Sequence, residues 1–144
     1  MRLVSTSGKR SFPYLTAACT GLRRGELRQL LWSDIRLDVA KPYIEVRAET
    51  TKSKRGAVVP LLPMSLDVLK REYAKGTHLS GRVFPRGLPS VKSFTKDLNA
   101  CGISSNDQRG YRLDFHALRH TFASLLATAQ LSELARVKLA RHSE

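Results

Sequence analysis

The stretch Tyr43-Ile44-Glu45-Val46-Arg47-Ala48-Glu49-Thr50-Thr51-Lys52-Ser53-Lys54-Arg55-Gly56-Ala57-Val58-Val59-Pro60-Leu61 carries the decisive pattern. Apolar and polar residues alternate over Tyr43 to Arg47. Ala57 to Leu61 is a second β-like run. Between them lies a polar, basic connection that ends in Gly. Two such runs around a turn-rich connector predict an antiparallel hairpin with a long loop. Ile35-Arg36-Leu37 alternates as well and adds a third short strand. Three short strands need something to pack on.

The flanks supply it. Upstream, Leu15, Ala18, Cys19 and Leu22 recur at helical spacing from Phe12, and Thr20-Gly21 marks a stop. A second helix is predicted from Arg24 to Leu31, with Leu27, Leu30 and Leu31 on one face. Downstream, Ser65 reads as the N-cap of a helix through Leu66, Leu69 and Tyr73, ended by Gly76. Residues 76–89 hold three glycines and two prolines and read as loop. Helical texture returns from Ser90 or Val91 to Ala100, then from His116 to Ala129 and from Leu131 to Ala140. Residues 1–9 and 102–113 are polar and loop-like. The predicted fold class is mainly α with a small antiparallel β-sheet (α+β), in one domain over residues 1–144.

Composition narrows the partner. The chain has 144 residues, 25 Lys+Arg, 12 Asp+Glu and a formal net charge of +13. That excess points to a polyanion. Nucleic acid is favoured over a membrane surface, because no basic amphipathic helix with an apolar aromatic face stands out. No apolar run has the length of a membrane span. Cys19 and Cys101 form no metal knuckle and no disulfide framework. A reducing cytosol or nucleoid is the expected compartment.

Four segments could carry chemistry. In Phe115-His116-Ala117-Leu118-Arg119-His120-Thr121-Phe122, the residues His116, Arg119 and His120 share one helix face. Such a cluster at a helix start suits a phosphate. The alternative is a surface Arg beside capping or core histidines. Zinc is disfavoured, because Arg119 stands between the two histidines and no Glu follows His116. In Thr20-Gly21-Leu22-Arg23-Arg24-Gly25-Glu26-Leu27, tight glycine turns could aim an arginine fork at a phosphate. The alternative is a solvated turn with an exposed Arg-Glu pair. In Thr51-Lys52-Ser53-Lys54-Arg55, a lysine on a hairpin could reach a nucleic-acid groove and donate a proton. The alternative is a solubilising turn. The fourth segment is Leu139-Ala140-Arg141-His142-Ser143.

Taken together and in order, the blocks TGLRRGEL, TKSKRGAVVPL, HALRHTFAS and LARHS resemble the catalytic domain of the tyrosine site-specific recombinases, the phage integrase family. The resemblance spans about residue 11 to 144. It implies that Arg23 and Arg119 clamp the non-bridging oxygens of a DNA phosphodiester and that His142 adds a hydrogen bond. It implies that Lys52 protonates the leaving 5′-oxygen and that His116 assists proton transfer at an attacking tyrosine. The product is a 3′-phosphotyrosine, so no cofactor and no metal is implied. Preorganised donors of this kind are worth about 3 kcal/mol each. Arg24, Lys54, Arg55, His120 and Arg141 are expected on the DNA-facing surface. The implied partner is duplex DNA, with a tetramer on DNA for a full-length parent.

Two departures accompany the resemblance. Ala140-Arg141-His142 stands where the family commonly has Leu-Gly-His. The family's nucleophilic tyrosine follows this His, whereas Tyr14, Tyr43, Tyr73 and Tyr111 all precede it. The expectation is a catalytic domain truncated before its nucleophile and lacking the N-terminal core-binding domain. It would bind DNA, in a salt-dependent way, without cleaving it alone. A non-catalytic DNA-binding module or integrase remnant, and a type IB topoisomerase relative, are the alternatives. Arg23, His116, Arg119 and His142 are expected to converge on one pocket, with Lys52 on a flexible hairpin nearby. An exposed apolar groove and self-association are also expected.

Overall fold

The structure is a computed structural model that describes residues 10–76, 81–106, 108–110 and 112–128. The expectations for residues 1–9, for Tyr111, for the last helix and for Arg141 and His142 lie outside the described residues.

The first helix, α1, spans Ser11–Thr20 and is the spine of the fold. Its residues from Pro13 to Thr20 are all buried. A helix buried all round must satisfy its polar side chains internally. Thr16 Oγ1 donates to the Phe12 carbonyl at 2.8 Å and Thr20 Oγ1 donates to the Thr16 carbonyl at 2.6 Å. Tyr14 is fully buried, and its hydroxyl donates to Asp97 at 2.6 Å. Arg10 Nε donates to the same carboxylate at 2.6 Å. The Arg10 guanidinium, beside it, holds the Asp97 carboxyl below the usual carboxylate range.

Helix α2 is shorter than the pattern predicts, spanning Arg24–Arg28. The backbone of Leu30 to Trp32 is captured instead by the segment at 81–83. Val83 N–H donates to the Leu30 carbonyl at 3.1 Å, and Trp32 N–H donates to the Gly81 carbonyl at 2.9 Å. A 3₁₀ turn, Trp32–Asp34, follows. It leads into the sheet, which consists of β1 (Ile35–Arg36), β2 (Tyr43–Val46) and β3 (Ala57–Pro60). The order is β1-β2-β3, antiparallel throughout, with Ile35 opposite Ile44 and Ile44 opposite Val59. Those three side chains are buried, and Glu45 and Val58 face out.

Helix α3 spans Pro63–Ala74. Its N-cap is Leu62, not Ser65. Pro63 takes the first turn, where a missing N–H costs nothing. Ser65 lies inside the helix, buried, and its hydroxyl donates to the Leu62 carbonyl at 2.8 Å. Helix α4 spans Val91–Ala100, and Ser90 is its N-cap, its Oγ accepting from Ser93 N–H at 3.1 Å. Helix α5 spans Ala117–Thr128 and packs along α1. The core joins Tyr14, Leu27, Ile44, Val59, Leu69, Phe94 and Phe115. A groove of about 340 Å³ opens between α1 and α3 over Phe12, Leu15 and Val68. No helix of the described residues is long and apolar enough to cross a membrane.

Candidate phosphate-binding site

The site begins at the end of α1. Gly21 closes the helix with φ 67°, and its N–H donates to the Ala17 carbonyl at 3.0 Å. That left-handed conformation suits glycine. Space demands glycine too: a Cβ here would sit 2.1 Å from the Phe122 ring of α5. The close approach has a consequence for charge. Arg119, one turn before Phe122, is buried, and its NH1 donates to the Gly21 carbonyl at 2.9 Å. The first arginine block therefore holds the guanidinium of the second.

Two residues on, Arg23 is the half-buried N-cap of α2. Glu26 folds back so that its carboxylate accepts the Arg23 backbone N–H at 2.9 Å. Glu26 is buried, so the exposed Arg-Glu pair is excluded. Its role is to fix the backbone from which Arg23 projects.

Across the gap, the backbone turns at Asp114 to Arg119. Ala117 N–H donates to the Asp114 carbonyl at 3.0 Å, and Arg119 N–H to the His116 carbonyl at 2.9 Å. His116 and His120 meet edge to face, with ring centroids 5.7 Å apart. Together Arg23, His116, Arg119 and His120 line a cavity of about 240 Å³. Three of the four residues predicted to converge are thus brought together, and His142 lies outside the described residues. Partial burial, and then the neighbouring Arg119 cation, pull the His116 pKa below its ordinary value. Both effects disfavour the imidazolium form. Two guanidiniums and two imidazoles around one opening make an acceptor for an anion.

The other basic residues divide. Lys52, Lys54 and Arg55 are exposed on one turn after β2, and none of them lines the cavity. Arg24, expected to face DNA, lies over the Phe115 ring at 5.3 Å and donates to the Pro89 carbonyl at 3.0 Å. It braces the turn that carries His116. Among the described residues no tyrosine lines the cavity. Tyr14 is sealed in the core against Asp97, and burial pushes its pKa well up. Tyr73 packs edge-on against Trp32.

Arg47 is a residue the sequence reading passed over. It follows β2 directly, and its Nε donates to the Asp34 carboxylate at 3.1 Å. Its NH2 donates to the Gln29 carbonyl at 2.7 Å, just past α2. The helix begun at Arg23 and the turn bearing Lys52 are tied through this one side chain. A charged residue at a strand end carries no signal of such a role.

The chain matches the phage integrase family over residues 9–143 and belongs to it. Its fold is that of the site-specific recombinases. It is similar to the XerH site-specific recombinase bound to difH substrate in a pre-cleavage complex, with TM-score 0.70 and 19% identity over 99% of this chain and 45% of that one. It is similar to the XerA recombinase, with TM-score 0.70 and 22% identity over 99% of this chain and 52% of that one. It is also similar to a lambda integrase dimer bound to a COC′ core site, with TM-score 0.71 and 21% identity over 99% of this chain and 43% of that one. The chain thus spans about half the length of these structures. No curated protein sequence matches it at a significant level.

Proposed function

We propose that this chain forms the phosphate-handling part of a tyrosine recombinase and binds duplex DNA. The observation that carries the reading is the convergence of Arg23, His116, Arg119 and His120 on one cavity. A DNA phosphodiester enters there with its non-bridging oxygens toward Arg23 and Arg119. In the cleavage step a tyrosine oxygen bonds to phosphorus and the bond to the 5′-oxygen breaks. Lys52 supplies the proton to that oxygen, and His116 takes up the tyrosine proton. His142 adds a further hydrogen bond to the phosphate, and Lys54, Arg55 and Arg141 contribute to the basic DNA-facing surface. The attacking tyrosine is neither Tyr14, which is sealed in the core, nor Tyr43 or Tyr73, which do not line the cavity. The charge that gathers in the transition state falls where the arginines stand, so they do the work that divalent ions do in other phosphoryl-transfer sites.

The test is duplex binding across a salt series, read by fluorescence anisotropy, for the native chain and for Arg23→Gln. Losing one phosphate contact lowers affinity at every DNA sequence and reduces the slope of log K against log salt by about 1. Equal slopes and affinities for the two proteins, or binding indifferent to salt, contradict the assignment. Incubation with nicked and intact duplex, followed by denaturing gels, reports strand cleavage separately. DNA binding with no covalent adduct is the expected outcome, because no tyrosine of the described residues lines the cavity, and an adduct contradicts it.

A further inference from the structure

The connection carrying Lys52 is a folded turn and not a loose loop. The 3₁₀ turn Ala48–Thr50 continues β2, and Thr51 follows it. Thr51 is 2% exposed, although it lies between two polar stretches. Its hydroxyl is the knot of the turn. Oγ1 accepts the Arg55 backbone N–H at 3.0 Å. Its single proton has two acceptors in reach, the Ala48 carbonyl at 2.9 Å and the Arg55 carbonyl at 3.0 Å. The Thr51 N–H also donates to the Ala48 carbonyl, at 3.2 Å, and its carbonyl accepts from Lys54 N–H at 3.3 Å. Lys54 completes the loop in a left-handed conformation, φ 59°. One side chain thus fastens the outgoing and returning halves of the turn.

Lys52 is the next residue, and it is fully on the outside. We propose that Thr51 is a positioning residue for Lys52, its hydroxyl closing the turn that sets where the lysine amine reaches. The inference rests on the reading of Lys52 as the group that meets the DNA phosphodiester. Thr51 itself, buried, touches no substrate. It acts by lowering the number of positions that the Lys52 backbone visits, so the ordering cost is met in folding and not at binding. Valine has the same shape without the hydroxyl and would leave the Arg55 N–H without its acceptor.

The test compares the native chain with Thr51→Val and Thr51→Ser. Two readouts are taken. One is amide hydrogen exchange at Arg55. The other is protection of the Lys52 amine from an acylating reagent by a saturating short duplex, located by peptide mass spectrometry. In Thr51→Val, Arg55 exchange rises about tenfold, the equivalent of one hydrogen bond, and duplex no longer shields Lys52. Thr51→Ser keeps the hydroxyl and behaves as the native chain. If duplex shields Lys52 equally in Thr51→Val and the native chain, the inference is overturned. The same holds if Thr51→Ser loses shielding as Thr51→Val does. If duplex fails to shield Lys52 even in the native chain while binding is saturated, the reading of Lys52 falls instead.

Discussion

Gly21 shows how much of the site depends on a residue without a side chain. Its carbonyl holds Arg119, and its bare Cα lets Phe122 approach. Gly21→Ala pays for the left-handed backbone and for the clash in a buried position. Together these cost about 3 kcal/mol, read from urea denaturation midpoints. Duplex affinity falls with it, because Arg119 loses its seat. His116 offers a second test at this scale. Its pKa lies below the ordinary value, so the folded state binds the proton less readily than the unfolded chain does. The stability linked to this group is complete above the unfolded pKa and declines as pH falls through the folded one. An anion in the cavity favours the protonated ring. An NMR titration therefore places the free chain's midpoint below about 6.5, and bound duplex moves it upward. Arg23, His116 and Arg119 were singled out by the resemblance of their blocks, taken in order, to the recombinase family, since each block alone also allows a plain structural reading. The grip of Gly21 on Arg119 was not legible, because it joins residues 98 apart in sequence.

Elements were legible where local pairing decides them. The alternation at 43–47 and 57–61 marks β2 and β3, and the helical texture from Ser90 or Val91 to Ala100 marks α4. Long-range capture decides the others. Leu30 and Leu31 continue a helical pattern, yet the strand-like segment at 81–83 takes their backbone groups and ends α2 early. Ser65 has the chemistry of a cap, but α3 starts at Pro63, three residues sooner than a cap at Ser65 would place it. Contacts between elements also set a pH dependence. Asp97 on α4 is the shared acceptor of Arg10 and Tyr14 at the start of α1. Arg10, and then the Tyr14 hydroxyl, favour its ionised form, against the effect of burial. A depressed carboxyl contributes stability above its unfolded pKa, near 3.9, that is lost as pH falls through the lower folded value. Asp97→Asn removes this contribution. Its melting temperature is lower than the native chain's at neutral pH, and the gap narrows toward pH 2, as calorimetry at several pH values would show.

The charge of the whole molecule is unevenly deployed. Among the described residues, Glu26, Asp34 and Asp97 are buried in scaffolding roles. Glu26 fixes the Arg23 backbone, Asp34 anchors Arg47 and Asp97 ties α1 to α4. The net charge of the chain is +13, and Arg23, His116, Arg119 and His120 bring part of its basic character to one cavity. The proposed DNA contact is placed at this cavity. A crystal structure of the chain with a short duplex tests this most directly. One DNA phosphate is expected in the cavity, with non-bridging oxygens within hydrogen-bond reach of both Arg23 and Arg119. Duplex bound elsewhere on the surface, with no phosphate between those two arginines, would contradict it.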